Sequence, residues 1–360
     1  MRIKYCLFFL FLIAFSKLFA QEDPRFSFFP WAQAVYNPGA MGEKENHMNF
    51  IAILRQQSMG MNDQDTIRNS NNLDDIHNDN KENNKKKNRG NPEDGQQVLL
   101  CIDSYIKQIR GAVGVTFLQD RIAGQNNVGF KLGYATRFRV RRGKLGIGVQ
   151  FGFLNITPTS SDLLNPIQPG DPLLTGSGVS GTESSIMDFD MSFGVHYRTP
   201  TWYVGISGTQ LLGGVRISGD MTSLRPVRQF YATGGYIWDL KTPIPWYIEP
   251  HILIRSNFVE WQLGILAVAR YNGILWFGTG FQNGAIPILF GAVPFYNGDN
   301  AYLRGLELGV AFGFPTTKFA WTSGGSWGDF ELVVRYGFNF YKEKVLSGYG
   351  SSRHLYKNQY

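Results

Sequence analysis

The chain has 360 residues, 42 of them glycine, with 15% aromatic and only 18% charged residues and a formal charge of +7. Three cations, Arg2, Lys4 and Lys17, sit in the first twenty residues, so the remainder is near neutral and gives a nucleic-acid partner no support. Only Cys6 and Cys101 are present, which excludes a disulfide framework and a thiolate zinc site.

Taken in chain order, the first element is a leader. Arg2 and Lys4 precede an apolar run over 5–15, and Ala20 precedes Gln21, the pattern of a signal peptide (1–20) cut after Ala20. The run is shorter than the ~20 residues of a spanning helix. No later stretch reaches that length without charge or glycine, so any membrane entry would use strands. Residues 21–46 form an N-terminal periplasmic or lumenal segment, in which Pro24, Pro30 and Pro38 alternate with Phe26, Phe28, Phe29, Trp31 and Tyr36. Prolines argue against a central strand, and so many aromatics would be costly in a solvated tail.

From 47 to 342 the pattern is alternation. In Asn127–Val140 the set Val128, Phe130, Leu132, Tyr134, Phe138 and Val140 faces one way, while Lys131, Arg137 and Arg139 face the other. Side chains alternate across a strand, so such segments build a sheet with one apolar and one wet face. Fourteen strands are expected: 47–60, 97–106, 110–119, 127–140, 143–155, 185–198, 201–212, 226–239, 245–256, 258–271, 273–283, 285–296, 301–314 and 328–342. Arg142-Gly143, Asn272-Gly273, Asn283-Gly284 and Asn297-Gly298 supply hairpin turns. The long connections 61–97, 157–184, 213–226 and 315–327 then all emerge at one end, the extracellular one. The stretch 62–97, rich in Asn, Asp and Lys with few large apolar residues, reads as a disordered first extracellular loop. Residues 343–360 are a C-terminal tail.

The fold class expected is all-β: an antiparallel transmembrane β-barrel of about 14 strands in the outer membrane of a Gram-negative bacterium. In 259–271 the outward set Trp261, Leu263, Ile265, Ala267, Ala269 and Tyr271 puts ten residues between two aromatics. At ~3.3 Å per residue and a tilt of ~40° that spans about 25 Å, the height of a lipid-facing band between aromatic girdles. A soluble sandwich uses the same alternation with its apolar face inside. The leader and the strand length favour the barrel.

No histidine pair has metal-ligand spacing and no glycine-flanked serine forms a nucleophile elbow, so no catalytic residue, metal or cofactor is expected. Lys131, Arg137, Arg139, Asp188, Asp190, His196, Glu260 and Arg335 are assigned to the lumen face. Asp188, Asp190, His196 and Arg198 could be written as an acid–base cluster, but lumen-facing polar residues of any barrel look alike. Two glycine stripes, Gly146, Gly148 and Gly152 and Gly305, Gly309 and Gly313, also face inward. They suit either tight curvature or a second backbone lying against the wall.

Several motifs resemble the PorP/SprF family of outer-membrane proteins from the type IX secretion and gliding-motility apparatus of Bacteroidetes. They are Asp23-Pro24-Arg25-Phe26-Ser27, then Tyr36-Asn37-Pro38-Gly39-Ala40-Met41-Gly42, Arg55-Gln56-Gln57, Asp120 with Gly124, Tyr134-Ala135, Trp276-Phe277-Gly278, and Phe330-Glu331-Leu332 before Tyr336. Ser58 stands in place of a family tryptophan, Gly39 in place of alanine, Gln282 where arginine is common, and 62–97 looks inserted. The resemblance implies a non-enzymatic component that supports export or surface anchoring of secreted proteins. Its implied partners are the translocon, periplasmic ring, motor or lipoprotein components, cargo C-terminal domains, and outer-membrane lipid. Asp23, Pro24, Phe26, Asn37, Pro38 and Gly42 are the candidate partner-binding residues. The segment carrying them could equally turn into strand one and plug the barrel mouth. A passive pore for small solutes is the competing function.

Overall fold

The computed structural model describes residues 25–43, 47–59, 95–122, 125–158, 185–213, 215–218, 226–282, 284–296, 303–316 and 328–339. The expected leader, most of the 62–97 loop and the C-terminal tail lie outside them, as do Asp23 and Pro24. Gly95–Gln97 of that loop already belong to the second strand.

The strands are β1 (His47–Met59), β2 (Gly95–Ile106), β3 (Gly111–Ile122), β4 (Gln125–Val140), β5 (Gly143–Pro158), β6 (Ile186–Arg198), β7 (Trp202–Thr209) and β8 (Val215–Ser218). They continue as β9 (Gln229–Tyr236), β10 (Trp238–Asp239), β11 (Trp246–Ser256), β12 (Trp261–Tyr271), β13 (Leu275–Gln282), β14 (Ala285–Ala292), β15 (Leu306–Pro315) and β16 (Gly328–Asn339). Apart from β8 and β9, each pairs antiparallel with a chain neighbour; β9 pairs with both β7 and β11, and β16 returns to β1 from His47↔Asn339 to Gln56↔Phe330. The ring therefore closes over fourteen strands. β10 prolongs β9 past Ile237, and β8 pairs with β6 as an extra strand off the ring.

Outward apolar side chains are exposed, among them Phe130, Leu132, Tyr134 and Phe138 on β4 and Trp261, Leu263 and Ile265 on β12. This is the lipid face of a membrane barrel, which leaves no sheet edge to satisfy. The inward face is less uniformly polar than alternation alone predicts. Ile51, Ile53, Leu99, Leu253, Leu266, Val268, Trp276, Leu289 and Val333 point inward and are buried. Their wall segments are apolar on both faces because the lumen holds a hydrophobic core.

That core is completed by the chain itself. Residues 25–43 thread the lumen through a one-turn helix, α1 (Gln33–Tyr36), and a 3-10 turn at Pro38–Ala40. Asn37 caps the second turn, its side chain accepting from Gly39 N at 2.9 Å. Phe26, Phe28, Phe29, Trp31 and Tyr36 are all buried against the inward apolar set.

Several strand ends differ from the alternation. β12 starts at Trp261 because Asn257 Oδ1 accepts from Val259 N (2.9 Å) and Glu260 N (2.7 Å), closing a side-chain turn. Glu260 thus precedes β12 as an exposed residue of this turn, its carboxylate accepting from the inward-facing Gln262 Nε2 at 3.2 Å. β7 ends at Thr209, where Gln210 takes φ +54°. β14 ends at Ala292 because Tyr296 N bonds Val293 O, turning the chain. Asn272 (φ +51°) and Gly273 (φ +70°) make the expected hairpin. In the β4–β5 hairpin Arg141 carries the positive φ, and Gly143 already opens β5.

Candidate functional site

The site is the interface between the 25–43 segment and the wall that encloses it. At one end Ser27 donates from N and Oγ to the Glu331 carboxylate (2.8–3.0 Å), and Arg55 pairs with Asp329 at 2.6 Å and lies 3.5 Å from Glu331. Arg55 also donates to Arg25 O, and Gln282 Nε2 to Phe26 O at 3.4 Å. Just beyond Ser27, Phe28, Trp31 and the wall's Trp276 form one aromatic cluster with centroids 4.7–6.1 Å apart. Trp31 Nε1 donates to Glu307 at 2.9 Å, so its polar end is satisfied inside the barrel.

In the middle, backbone lies on backbone. Asn37 Nδ2 donates to Val195 O (3.0 Å) and Ile206 O (3.3 Å), and Ser207 Oγ to Tyr36 O at 2.7 Å. A Cβ at Gly148 would fall 2.4 Å from Pro38 O, and one at Gly39 2.9 Å from Gly194 O. Gly146 and Gly148 therefore admit the threaded segment. Gly152 meets Phe130 O of the neighbouring strand instead. The other stripe serves the wall: Gly309 accepts the Trp276 ring, Gly305 abuts Gly337 O, and Gly313 faces Asp329. One stripe is thus a seat for a second backbone, while the other accommodates neighbouring strands and a large inward side chain.

At the far end the segment leaves through an ionic frame. Gly42 N donates to Asp103 at 2.7 Å, Arg137 donates to Ala40 O and Met41 O at 2.9 Å, and Glu43 pairs with Arg198. Arg270 bridges Glu249 and Glu307 at 3.0 Å each, and Arg335 joins Glu307 (3.3 Å) to Asn49 (3.0 Å). Between this frame and the segment lies a cavity of about 100 Å³ bordered by Trp31, Gln33, Glu43, Arg198, Tyr203 and His251.

The residues singled out from sequence fall in three places. Phe26, Asn37, Pro38 and Gly42 are buried in the lumen, and their contacts there are with the chain's own wall. Lys131, Arg137, Asp188, Asp190, His196 and Arg335 lie on inward-facing positions. Lys131 pairs with Asp190 at 2.9 Å, and the His196 ring packs 5.5 Å from that of Tyr203. Arg139 stands exposed at the rim and Glu260 in its turn. Asp190 and His196 are six residues apart along β6, about 20 Å, too far to converge on one substrate atom. Glu249 and Glu307 escaped the sequence reading. The available signal was a lone acid in an otherwise apolar strand, which needs a cation once buried.

A family model for "Type IX secretion system membrane protein PorP/SprF" matches residues 18–336. Among solved structures, the Pseudomonas putida toluene transporter TodX is 9% identical over 90% of this chain and 95% of that one, with a TM-score of 0.44. A Pseudomonas aeruginosa FadL homologue is 10% identical over 86% and 94%, TM-score 0.40, and CdiB from Acinetobacter baumannii 7% over 82% and 60%, TM-score 0.37. No curated protein matches the sequence. The chain belongs to the PorP/SprF family of type IX secretion system membrane proteins.

Proposed function

We propose that this protein serves type IX secretion as a plugged, non-enzymatic outer-membrane adaptor, supporting export or surface anchoring by binding periplasmic components or cargo on surfaces outside its lumen. The observation that carries this reading is the occupied lumen: residues 25–43 fill it with aromatic side chains and bond to the wall along its length. A polypeptide in transit would have to displace that core. On this reading Phe26, Asn37, Pro38 and Gly42 hold the plug. Removal of a leader after Ala20 belongs to the same proposal.

The test locks the plug. Met41 Cγ lies 3.3 Å from where a Gly114 Cβ would stand, close to the sulfur–Cβ reach of a disulfide. In a Cys101→Ala background, Met41→Cys with Gly114→Cys should oxidise to a cross-link between plug and wall. Cells carrying the locked protein should export cargo as well as cells in which it is reduced. Export that stops on oxidation and returns on reduction would show that the lumen must open, and would overturn the adaptor reading.

A further inference from the structure

At the end of the barrel where β1 begins and β16 ends, three hairpins share an unusual choice of residue. Arg110, Arg141 and Lys241 each adopt φ +51°, the left-handed region that bulky side chains rarely enter. Asn272 takes the same angle in a fourth turn and is the residue type that tolerates it. Three cations therefore stand where Asn or Gly would be easier. All three are exposed, as are Lys107 and Arg142 beside them.

The surroundings fix their depth. Tyr134 and Tyr197 reach along the outer surface and donate to Ile109 O and Val140 O, both at 3.1 Å. Those carbonyls belong to the residues immediately before Arg110 and Arg141. In the third hairpin Leu240 N bonds Trp246 O, Asp239 accepts from Lys241 N, and the Trp246 ring packs tilted against Tyr271, centroids 4.8 Å apart. Tyrosine and tryptophan on the outside of a barrel mark the headgroup level. The cations thus begin where the aromatic belt ends. They also recur from β2–β3 round to β10–β11, following the perimeter as a leaflet does and not gathering in one spot as a single protein partner would require.

We propose that this rim binds the phosphates of anionic phospholipids in the periplasmic leaflet, with Arg110, Arg141 and Lys241 as principal contacts and Lys107 and Arg142 beside them. A guanidinium fork matches a phosphate bidentately, and a cation held at the surface attracts an anionic leaflet. The inference is independent of the secretion role.

The triple variant R110N/R141N/K241N removes the charge with a residue that keeps the left-handed turn, so the barrel should still form and show heat-modifiable migration. The full-length protein would be reconstituted in bilayers mixing phosphatidylglycerol with phosphatidylcholine, and its retained lipids weighed by native mass spectrometry. Wild type should retain phosphatidylglycerol preferentially, and the variant should lose that preference by at least about tenfold. R121N/R228N, at the opposite end, should leave it unchanged. Equal retention of both lipids by wild type, or an undiminished preference in the triple variant, would overturn the proposal. An undiminished preference with export lost in cells would instead assign the rim to an acidic protein partner.

Discussion

Glu331 is inward-facing, almost fully buried, and accepts from both the backbone and the hydroxyl of Ser27 while lying beside Arg55. Such a group is costly to bury alone and costly to remove from its partner, because the remaining charge keeps its desolvation. Glu331→Ala should destabilise the barrel by about 3–5 kcal/mol, and Glu331→Gln by less, read from urea unfolding in lipid. Glycines offer a sharper contrast. Gly148→Leu would drive a side chain into Pro38 and should cost at least ~1–3 kcal/mol, whereas Gly129→Ala, whose nearest neighbour would stand 3.6 Å away, should stay within about 0.5 kcal/mol. The inward position of Gly148 was legible from its spacing with Gly146. Its neighbour was not, because alternation specifies a face and says nothing of what lies against it.

At the scale of elements, the strands were readable because each has a lipid face that cannot be polar, so period two survives over its length. Where it was misread, a local side-chain hydrogen bond intervened, as Asn257 does in excluding Glu260 from β12. The inward apolar residues were harder to interpret. Ile51, Leu266 and Val333 break the expectation of a wet interior, and their meaning appears only with the 25–43 segment seated on them. That segment behaves as the core of the barrel. Trp31→Ala should lower stability by about 3–5 kcal/mol through the cavity left beside Phe28 and Trp276, and Trp31→Phe by less, since it loses chiefly the bond to Glu307. Both are measured as a fall in the temperature at which the protein loses its heat-modifiable form.

For the whole molecule, a fourteen-strand cylinder has room for water or for a polypeptide, and this chain supplies its own. Hydrogen bonds tie the segment to β1, β2, β4, β6, β7, β13 and β16, so no single wall carries it. A membrane protein built this way presents lipid with an ordinary barrel, and on the proposed reading only its two ends are left for partners. The most direct test of that account is single-channel recording of the purified full-length protein in planar bilayers. An occupied lumen predicts no steady conductance, with the Met41→Cys, Gly114→Cys pair giving the same silence oxidised or reduced. A large, steady conductance through the intact wild-type chain would contradict it.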